Sequence, residues 1–344
     1  MPWKILTRLF FFFSCVSSTL HAAINYYFPA LASSFLSGAE EYGKTYEAYS
    51  RAFCVHYGRA MAFTNHLSYP VGKDSLGVFP SVYVGLGMGT AFSNTLAMKA
   101  ATNENLSSGF IPKVLPTAGL SLNVGIGLTR KWHFRIGFLP IVQMALPQQL
   151  SDIDLSLRYG NAKARLSYTW LESAFLRPGL SVAGYLAYTE GKVRFAKDNI
   201  ASVNHSYNFF DGFTNHSATV NFQYQVATEA LWRYLGAGAE IRIWYDLWLL
   251  VPYVGLGLGA QGGRFSTSLD IQGDIAVSIP SLNPAPQLDT GYMKITEKAR
   301  ADSIISRFFL GLEINAFVAK TAVELQFDNI HRLAGIALGA SVTF

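Results

Sequence analysis

The sequence has little charge for its length. Charged residues make up 14% of its 344 residues, whereas soluble domains carry about 25%. Hydrophobic residues reach 50% and aromatic residues 14%. Past the N-terminus, however, the chain lacks an apolar run near the roughly 18 residues that a membrane-spanning helix needs. Its apolar side chains must therefore follow another pattern.

The N-terminus is typical of an export signal. Two basic residues precede an apolar run at 9–16, and small residues offer a cleavage site after Ala22 or Ala23. We interpret residues 1–22 as a signal peptide. Two alternatives are a short membrane anchor and a lipoprotein acylated at Cys15.

Charge and cysteine content exclude two further features. The formal net charge is +5, and the sequence lacks the basic runs that contact nucleic acid, so we expect no nucleic-acid partner. Of the two cysteines, Cys54 alone remains once the signal is removed. The exported fold then has no internal disulfide, although its compartment is oxidising.

Apolar and small residues alternate in many segments of the remaining chain. In residues 334–344 every second position is apolar, and Gly, Ala, Ser or Thr lies between. Because successive side chains of a strand point to opposite faces, this period of two predicts β-strands. The same period occurs at 80–92, 114–128, 235–245, 254–260, 308–317 and 323–328.

The residues on the second face of these strands indicate whether the strands belong to a soluble sandwich or to a membrane barrel. In a soluble sandwich that face would meet water and carry charges, but here it is rich in Gly, Ser and Thr. The alternation at 114–128 is also longer than the usual strand of about 5–6 residues. Only a closed sheet satisfies every backbone group in lipid. The pattern favours an all-β fold, a transmembrane antiparallel β-barrel, over a soluble sandwich.

The final strand, LAGIALGASVTF, ends on Phe344. It resembles the terminal strand of bacterial outer-membrane β-barrel proteins, of Gram-negative or spirochaete type. The resemblance covers the signal, the alternating strands and the last aromatic residue, and it identifies a class rather than a subfamily. It implies location in the lipid bilayer of the outer membrane. It also implies that the barrel-assembly machinery reads Phe344, Val342 and Ala340 as an assembly signal.

Residues 79–344 are expected to form about ten strands, with eight or twelve as alternatives. Barrels of this class have even strand numbers, short periplasmic turns and long outer loops. We place a hairpin turn at GNAK (160–163), and Pro140 and Pro147 mark points where a long segment could break. The predicted strands are 79–93, 114–128, 132–159, 163–175, 178–196, 218–245, 249–271, 303–317, 320–329 and 333–344, and the predicted outer loops are 94–113, 197–217 and 272–302.

The segment 23–78 has a different pattern. Apolar and aromatic residues recur every three or four positions from 28 to 63, which predicts an α-helical N-terminal segment. Gly38 and Gly43 would divide it into two helices. The segment could plug the lumen, lie on the membrane, or lie in the periplasm below the barrel.

Many glycines occupy the alternate strand positions that would face the lumen, which we call the lumen-facing parity. They favour the plug, because glycine in a strand marks close approach of another group. Alternatively, small residues relieve crowding in a narrow bore. These glycines are Gly85, Gly87, Gly89, Gly119, Gly125, Gly127, Gly236, Gly238, Gly255, Gly257, Gly259 and Gly311.

Charged and polar residues share the same lumen-facing parity. Such groups are costly inside a membrane-spanning wall unless they are paired or wet. They form either a structural ion-pair network or a lining that selects a solute. The lumen-lining candidates are Glu240, Arg242, Arg307, Glu313, Glu324 and Gln326.

Catalytic and metal-binding patterns are weak. Asp152 and Asp154 form an acidic pair, but the Asp–His pair of omptin-type proteases does not accompany them. His133 has no persuasive serine partner for a phospholipase. A further set, His205, Asp211 and His216, shares one loop, where solvation is commoner than metal binding. We therefore expect no enzyme activity, no cofactor and no metal.

Two functions fit this prediction. The first is passage or uptake of small solutes across the outer membrane, possible only if the narrow bore of a ten-stranded barrel opens. The alternative is a structural or adhesin-like surface-contact protein that binds host surface ligands through its outer loops.

Overall fold

The computed structural model describes residues 23–27, 33–67, 70, 72–73, 81–94, 114–145, 153–174, 177–210, 215–279, 283–300 and 303–344. The signal peptide and most of the predicted loop 94–113 lie outside this set. The elements, in chain order, are β1 (Ala23–Tyr27), α1 (Ser33–Leu67), β2 (Val82–Asn94), β3 (Val114–Pro116), β4 (Gly119–Gly127), β5 (Trp132–Ala145), β6 (Ile153–Leu171), β7 (Pro178–Phe210), β8 (Asn215–Tyr245), β9 (Leu250–Ile279), β10 (Asn283–Arg300), β11 (Ser303–Ala316), β12 (Ala319–Asp328) and β13 (Leu333–Thr343).

Ten of the strands close into a ring. The order is β9, β11, β12, β13, β2, β4, β5, β6, β7 and β8, and β8 pairs back onto β9. Every pairing is antiparallel, and the first and last strands of the ring, β2 and β13, are neighbours. The predicted all-β barrel of about ten strands is confirmed.

The wall of the ring has an apolar outside. Leu256 and Leu258 are more than 60% exposed, whereas the alternate positions Gly255 and Gly257 are buried. The same alternation of exposed and buried positions runs along β4 and β12. A closed sheet with this exterior is suited to lipid. The chain is thus an integral β-barrel of the outer membrane, as the sequence predicts.

Short connections define the periplasmic end. Residues 128–131, 246–249 and 317–318 join strands there, and the backbone of Phe344 pairs with Val82 at the same end. Barrels of this class keep short turns on the periplasmic side, so the longer connections face outward.

The β7–β8 and β9–β10 hairpins extend far beyond the ring on the outer side. β7 and β8 are 33 and 31 residues long, although about 9–11 residues cross a bilayer. β10 pairs with the outer half of β9, and β11 pairs with its inner half. The strand β1 then adds to β10 from Ala23↔Thr296 to Tyr27↔Tyr292. This outer sheet replaces the predicted loops 197–217 and 272–302, because the alternation continues past the membrane as paired strands.

The predicted boundary at GNAK is wrong. Residues 160–163 lie within β6 and pair with β7, and β5 and β6 are joined by 146–152 instead. The register of β5 against β6 shifts between Leu139 and Val142, around Pro140, which cannot donate to a ladder. This irregularity inside the strand, rather than a turn, explains the break in the pattern.

The N-terminal segment forms a single helix, rather than two helices separated at Gly38 and Gly43. Among the described residues, none of the helical structure is long and apolar enough to cross a membrane. The last turns of α1, with Ala60, Phe63 and Leu67, are buried inside the ring.

Candidate functional site

The last turns of α1 pack against the smallest part of the wall. Leu67 is fully buried, together with Phe63 and Ala60. A Cβ built on Gly89 would lie 2.5 Å from the Leu67 Cβ, and one on Gly335 would also meet the Leu67 side chain. These glycines therefore make room for the helix, which is what the plug hypothesis requires.

The chain continues through the lumen after the helix ends. Pro70 lies against Gly339, and Gly72 lies against Glu313. The Lys73 N–H donates to Glu313 Oε2 at 3.1 Å, and Arg135 donates to the Lys73 carbonyl at 3.2 Å. Lys73 also forms an ion pair with Asp246 at the periplasmic end. The described residues from 54 to 73 thus descend from the outer sheet to the periplasmic rim. We call these residues the plug.

Glu240 is the centre of a buried ion-pair network in the wall. Its Oε1 accepts from Arg165 at 2.7 Å and from Arg242 at 3.3 Å, and its Oε2 accepts from Arg307 at 3.2 Å. These four side chains are at most 7% exposed. Because each charge has a partner close by, the network reduces the cost of placing charges inside the wall.

Glu324 extends this network toward the plug. It lies 3.5 Å from Arg242, and Gln326 joins it to Arg307 through a hydrogen bond at 3.2 Å. Arg242 also donates to the Gly72 carbonyl at 3.4 Å. The wall network therefore contacts the plug directly and fixes its path.

All six lumen-lining candidates lie inside the ring and are buried: Glu240, Arg242, Arg307, Glu313, Glu324 and Gln326. Three further cationic residues, Arg135, Lys163 and Arg165, are also buried in the bore, and they are absent from the predicted lining. The turn predicted at GNAK hides the lumen-facing position of Lys163. If the alternation of lumen-facing and lipid-facing positions is followed along β5 and β6, all three residues fall on the lumen-facing side.

Little space is left between the plug and the wall. The internal cavity beside His66, lined by Lys163, Tyr185 and Arg307, holds about 40 Å³, enough for a water molecule or two. A second space near Pro70 and Glu313 holds about 10 Å³. Among the described residues, these two spaces are too small to make up a continuous aqueous path through the bore.

The middle of α1, around Phe53 and Tyr57, lies against the inner face of the outer sheet. Phe53 and Tyr57 stack at 4.8 Å and both contact Phe265. Trp232 and Tyr234 complete this apolar cluster on the sheet side. Higher on the sheet, a second cluster contains Leu269, Ile275, Val277, Met293 and Ile295. The outer sheet therefore has one apolar cluster that it shares with the helix and another of its own.

Two polar groups fix the helix to this sheet. Arg51 contacts the buried Glu297 at 3.4 Å. Cys54 is buried, with its thiol 3.3 Å from the Thr267 hydroxyl. Burial raises the pKa of the Cys54 thiol to about 11, and burial also raises the pKa of Glu297, an effect that Arg51 opposes.

Of the other catalytic and metal candidates, the structure describes the side chains of Asp154 and His133. Asp152, Asp211 and the side chains of His205 and His216 lie outside what the structure describes. His133 is buried in the bore, and Ser167 donates to its backbone carbonyl at 3.4 Å. Among the described residues, His, Cys, Asp and Glu form no group of three that could hold a metal.

Phe344 is exposed at the periplasmic end, where its backbone N–H donates to the Val82 carbonyl at 2.8 Å. Ala340 is exposed and Val342 is half-buried on the same strand. Their recognition by the assembly machinery remains a prediction.

No family model matches the sequence, and the curated proteins include no match to it. Solved structures with some similarity include the translocator domain of the autotransporter NalP from Neisseria meningitidis, at 8% identity over 91% of this chain and 98% of that one, with a TM-score of 0.28. Another is Ail of Yersinia pestis, at 10% identity over 77% and 99%, with a TM-score of 0.26. A third is the Pseudomonas putida toluene transporter TodX, at 9% identity over 83% and 96%, with a TM-score of 0.25. Similarity at this level carries no inference about function.

Proposed function

We propose that this barrel is a closed membrane anchor that presents its outer sheet for contact at the cell surface. The observation that carries the proposal is the division of the molecule: the bore is filled, while the β7–β8 hairpin continues far past the membrane. No catalytic role is part of this proposal.

Packing in the outer sheet supports this role. Ile275 and Ile295 are at most 1% exposed although they lie beyond the ring. A segment that only linked two membrane strands would not need such a core, because short hairpins close barrels equally well. The core keeps the sheet rigid, and rigid surfaces lose less conformational entropy when they bind.

The test shortens one hairpin without changing the ring. Ala196 and Ala227 are register partners, so an Asn-Gly turn joining them removes the outer part of β7–β8. Cells that produce the full chain should adhere to immobilised host matrix proteins, and cells with the shortened hairpin should not. Heat modifiability of both proteins, fast migration unboiled and slow migration boiled, controls for folding.

Conductance distinguishes this function from transport. The full chain, 23–344, should give no steady single-channel current in planar bilayers. A steady current together with equal adherence of both cell types would contradict the surface role.

A second candidate, gated passage of a small solute, has one observation in its favour. Cationic groups exceed carboxylates in the bore, with Arg135, Lys163, Arg165, Arg242 and Arg307 against Glu240, Glu313, Glu324 and Asp328. If the plug leaves, such a bore favours small anions. This passage needs displacement of residues 54–73, which is the step a transport assay must detect.

A further inference from the structure

Arginines form a row across neighbouring strands on the outside of the wall. Arg233 on β8 lies directly opposite Arg264 on β9, and Arg264 lies directly opposite Arg300 on β10. All three are exposed. We call these three residues, with Arg158 on β6, the arginine row.

Like charges directly opposite each other destabilise a sheet, so the row needs a compensating anion. Glu190, opposite Arg233 on β7, contacts Arg233 at 3.2 Å and Arg158 at 3.6 Å. Among the described residues, this is the only carboxylate in salt-bridge contact with the row. One carboxylate therefore faces four guanidinium groups, and Arg264 and Arg300 are left with the largest excess of positive charge.

The row lies where lipid headgroups are expected. On β8, Leu235 is 61% exposed and lies two residues to the periplasmic side of Arg233. On β9, Leu258 and Leu256 are similarly exposed below Arg264. The row therefore marks the upper edge of the apolar exterior, at the level of the outer-leaflet headgroups.

An apolar groove lies below the row on the same side of the barrel. It holds about 730 Å³, and its walls include Trp132, Leu166 and Leu186. Small residues, Gly184, Ala237 and Ala239, form its floor. Ala237 is four residues from Arg233 along β8, so a chain anchored at the row can reach the groove.

We propose that the arginine row and the groove form a binding site for an anionic phospholipid of the outer leaflet, with its phosphate at Arg264 and Arg300 and an acyl chain in the groove. Guanidinium groups bind phosphate oxygens in a bidentate geometry that suits this role. The groove commits the site to a lipid, because a free phosphate ion gains nothing from apolar walls.

The test measures binding of phosphatidic acid, the probe for an exposed lipid phosphate, to the refolded full chain 23–344 in phosphatidylcholine nanodiscs. The affinity is read from lipid adducts in native mass spectrometry. R264Q/R300Q should weaken binding by roughly five-fold or more, given the usual contribution of each cation near a membrane surface. R264K/R300K, which keeps the charge but loses the bidentate geometry, should weaken binding less than R264Q/R300Q does.

A matched control removes two outward-facing cations farther from the membrane. Arg194 lies opposite Glu229, and Lys294 opposite Asp270, so R194Q/K294Q removes the same charge from positions that already face carboxylates. It should bind phosphatidic acid as the unaltered chain does. Heat modifiability confirms that each variant is folded.

Two results would overturn the proposal. In the first, R264Q/R300Q and R194Q/K294Q weaken binding equally, which indicates a diffuse charge effect. In the second, millimolar inorganic phosphate displaces the lipid completely, which indicates an ion site without a lipid component. Preference for phosphatidic acid that only the row variant loses supports it.

Discussion

Cys54 reports on the position of α1, because its thiol lies between the helix and the outer sheet. Burial raises its pKa to about 11, whereas a free cysteine has a pKa of about 8.5. At pH 8 the folded protein therefore holds much less of the reactive thiolate, and the sheet also shields the sulfur. We expect alkylation by iodoacetamide to be at least ~100-fold slower in folded 23–344 than in the same chain in urea.

The rate is measured by mass spectrometry as a function of pH. In the folded chain the alkylation rate should still rise with pH beyond pH 9, because a thiol with a pKa of about 11 is mostly protonated there. Equal rates in the folded and unfolded chains would show that α1 does not stay on the sheet.

Gly89 tests the contact between plug and wall. A Cβ at this position would lie 2.5 Å from the Leu67 Cβ, so G89V should destabilise the plugged state by about 1–3 kcal/mol. Valine otherwise suits a strand better than glycine, so a loss of stability reports the collision with Leu67. The measurement is the temperature at which the fast-migrating band is lost, together with Cys54 alkylation.

G184V is the matched control for this substitution. Gly184 faces outward, and the nearest atom to an added Cβ is the Gly238 carbonyl oxygen at 3.9 Å. G184V should leave both measurements unchanged. If G89V behaves like G184V, Leu67 does not pack on the wall as described.

At the scale of elements, periodicity predicted the ring well because each ring strand keeps one face toward lipid. The ten strands agree in number, and most differ by only a few residues at their ends. The error at β5–β6 arose where Pro140 disturbs the register, since a break inside a strand resembles a turn when only one sequence is read.

The path of α1 was harder to predict than its helicity. The glycine parity indicated that something approaches the wall, but a period of 3.6 does not specify which wall. Pairs such as Cys54–Thr267 and Arg51–Glu297 are more than 200 residues apart in sequence. Only the folded chain brings them together, and the same is true of β1 on β10.

In the last strand, the role of Phe344 as an assembly signal can be tested separately from its contribution to stability. The backbone of Phe344 makes two hydrogen bonds with Val82 where the ring closes, but its side chain is 75% exposed. Deletion of Phe344 should therefore reduce insertion in cells and leave refolding of the purified chain into detergent nearly unchanged.

F344Y keeps an aromatic side chain and should insert normally, which makes it the matched control for the deletion. The measurement compares heat-modifiable protein in the outer membrane with the refolded yield. Equal losses in cells and in detergent would mean that Phe344 contributes stability rather than an assembly signal.

At the scale of the whole molecule, we expect the ring to fold without the plug and the plug to close the bore. Every strand of the ring pairs with two neighbours without using α1, so a chain of residues 81–344 should still refold and show heat modifiability. Its bore would fill with water, since Glu240 and its arginine partners remain charged and hydrated. The full chain should be silent in planar bilayers, and 81–344 should conduct.

The reversal potential in a salt gradient then tests the charge of the bore. With Arg135, Lys163 and Arg165 exposed to the lumen, anions should carry more of the current than cations. R165Q should reduce this preference, because it removes one cation and leaves Glu240 with fewer partners. R130Q, at a periplasmic turn, removes the same charge away from the buried network and should change the preference less. Silence of a folded 81–344 would mean that the wall side chains alone close the bore, and the barrel would then be an anchor with or without its plug.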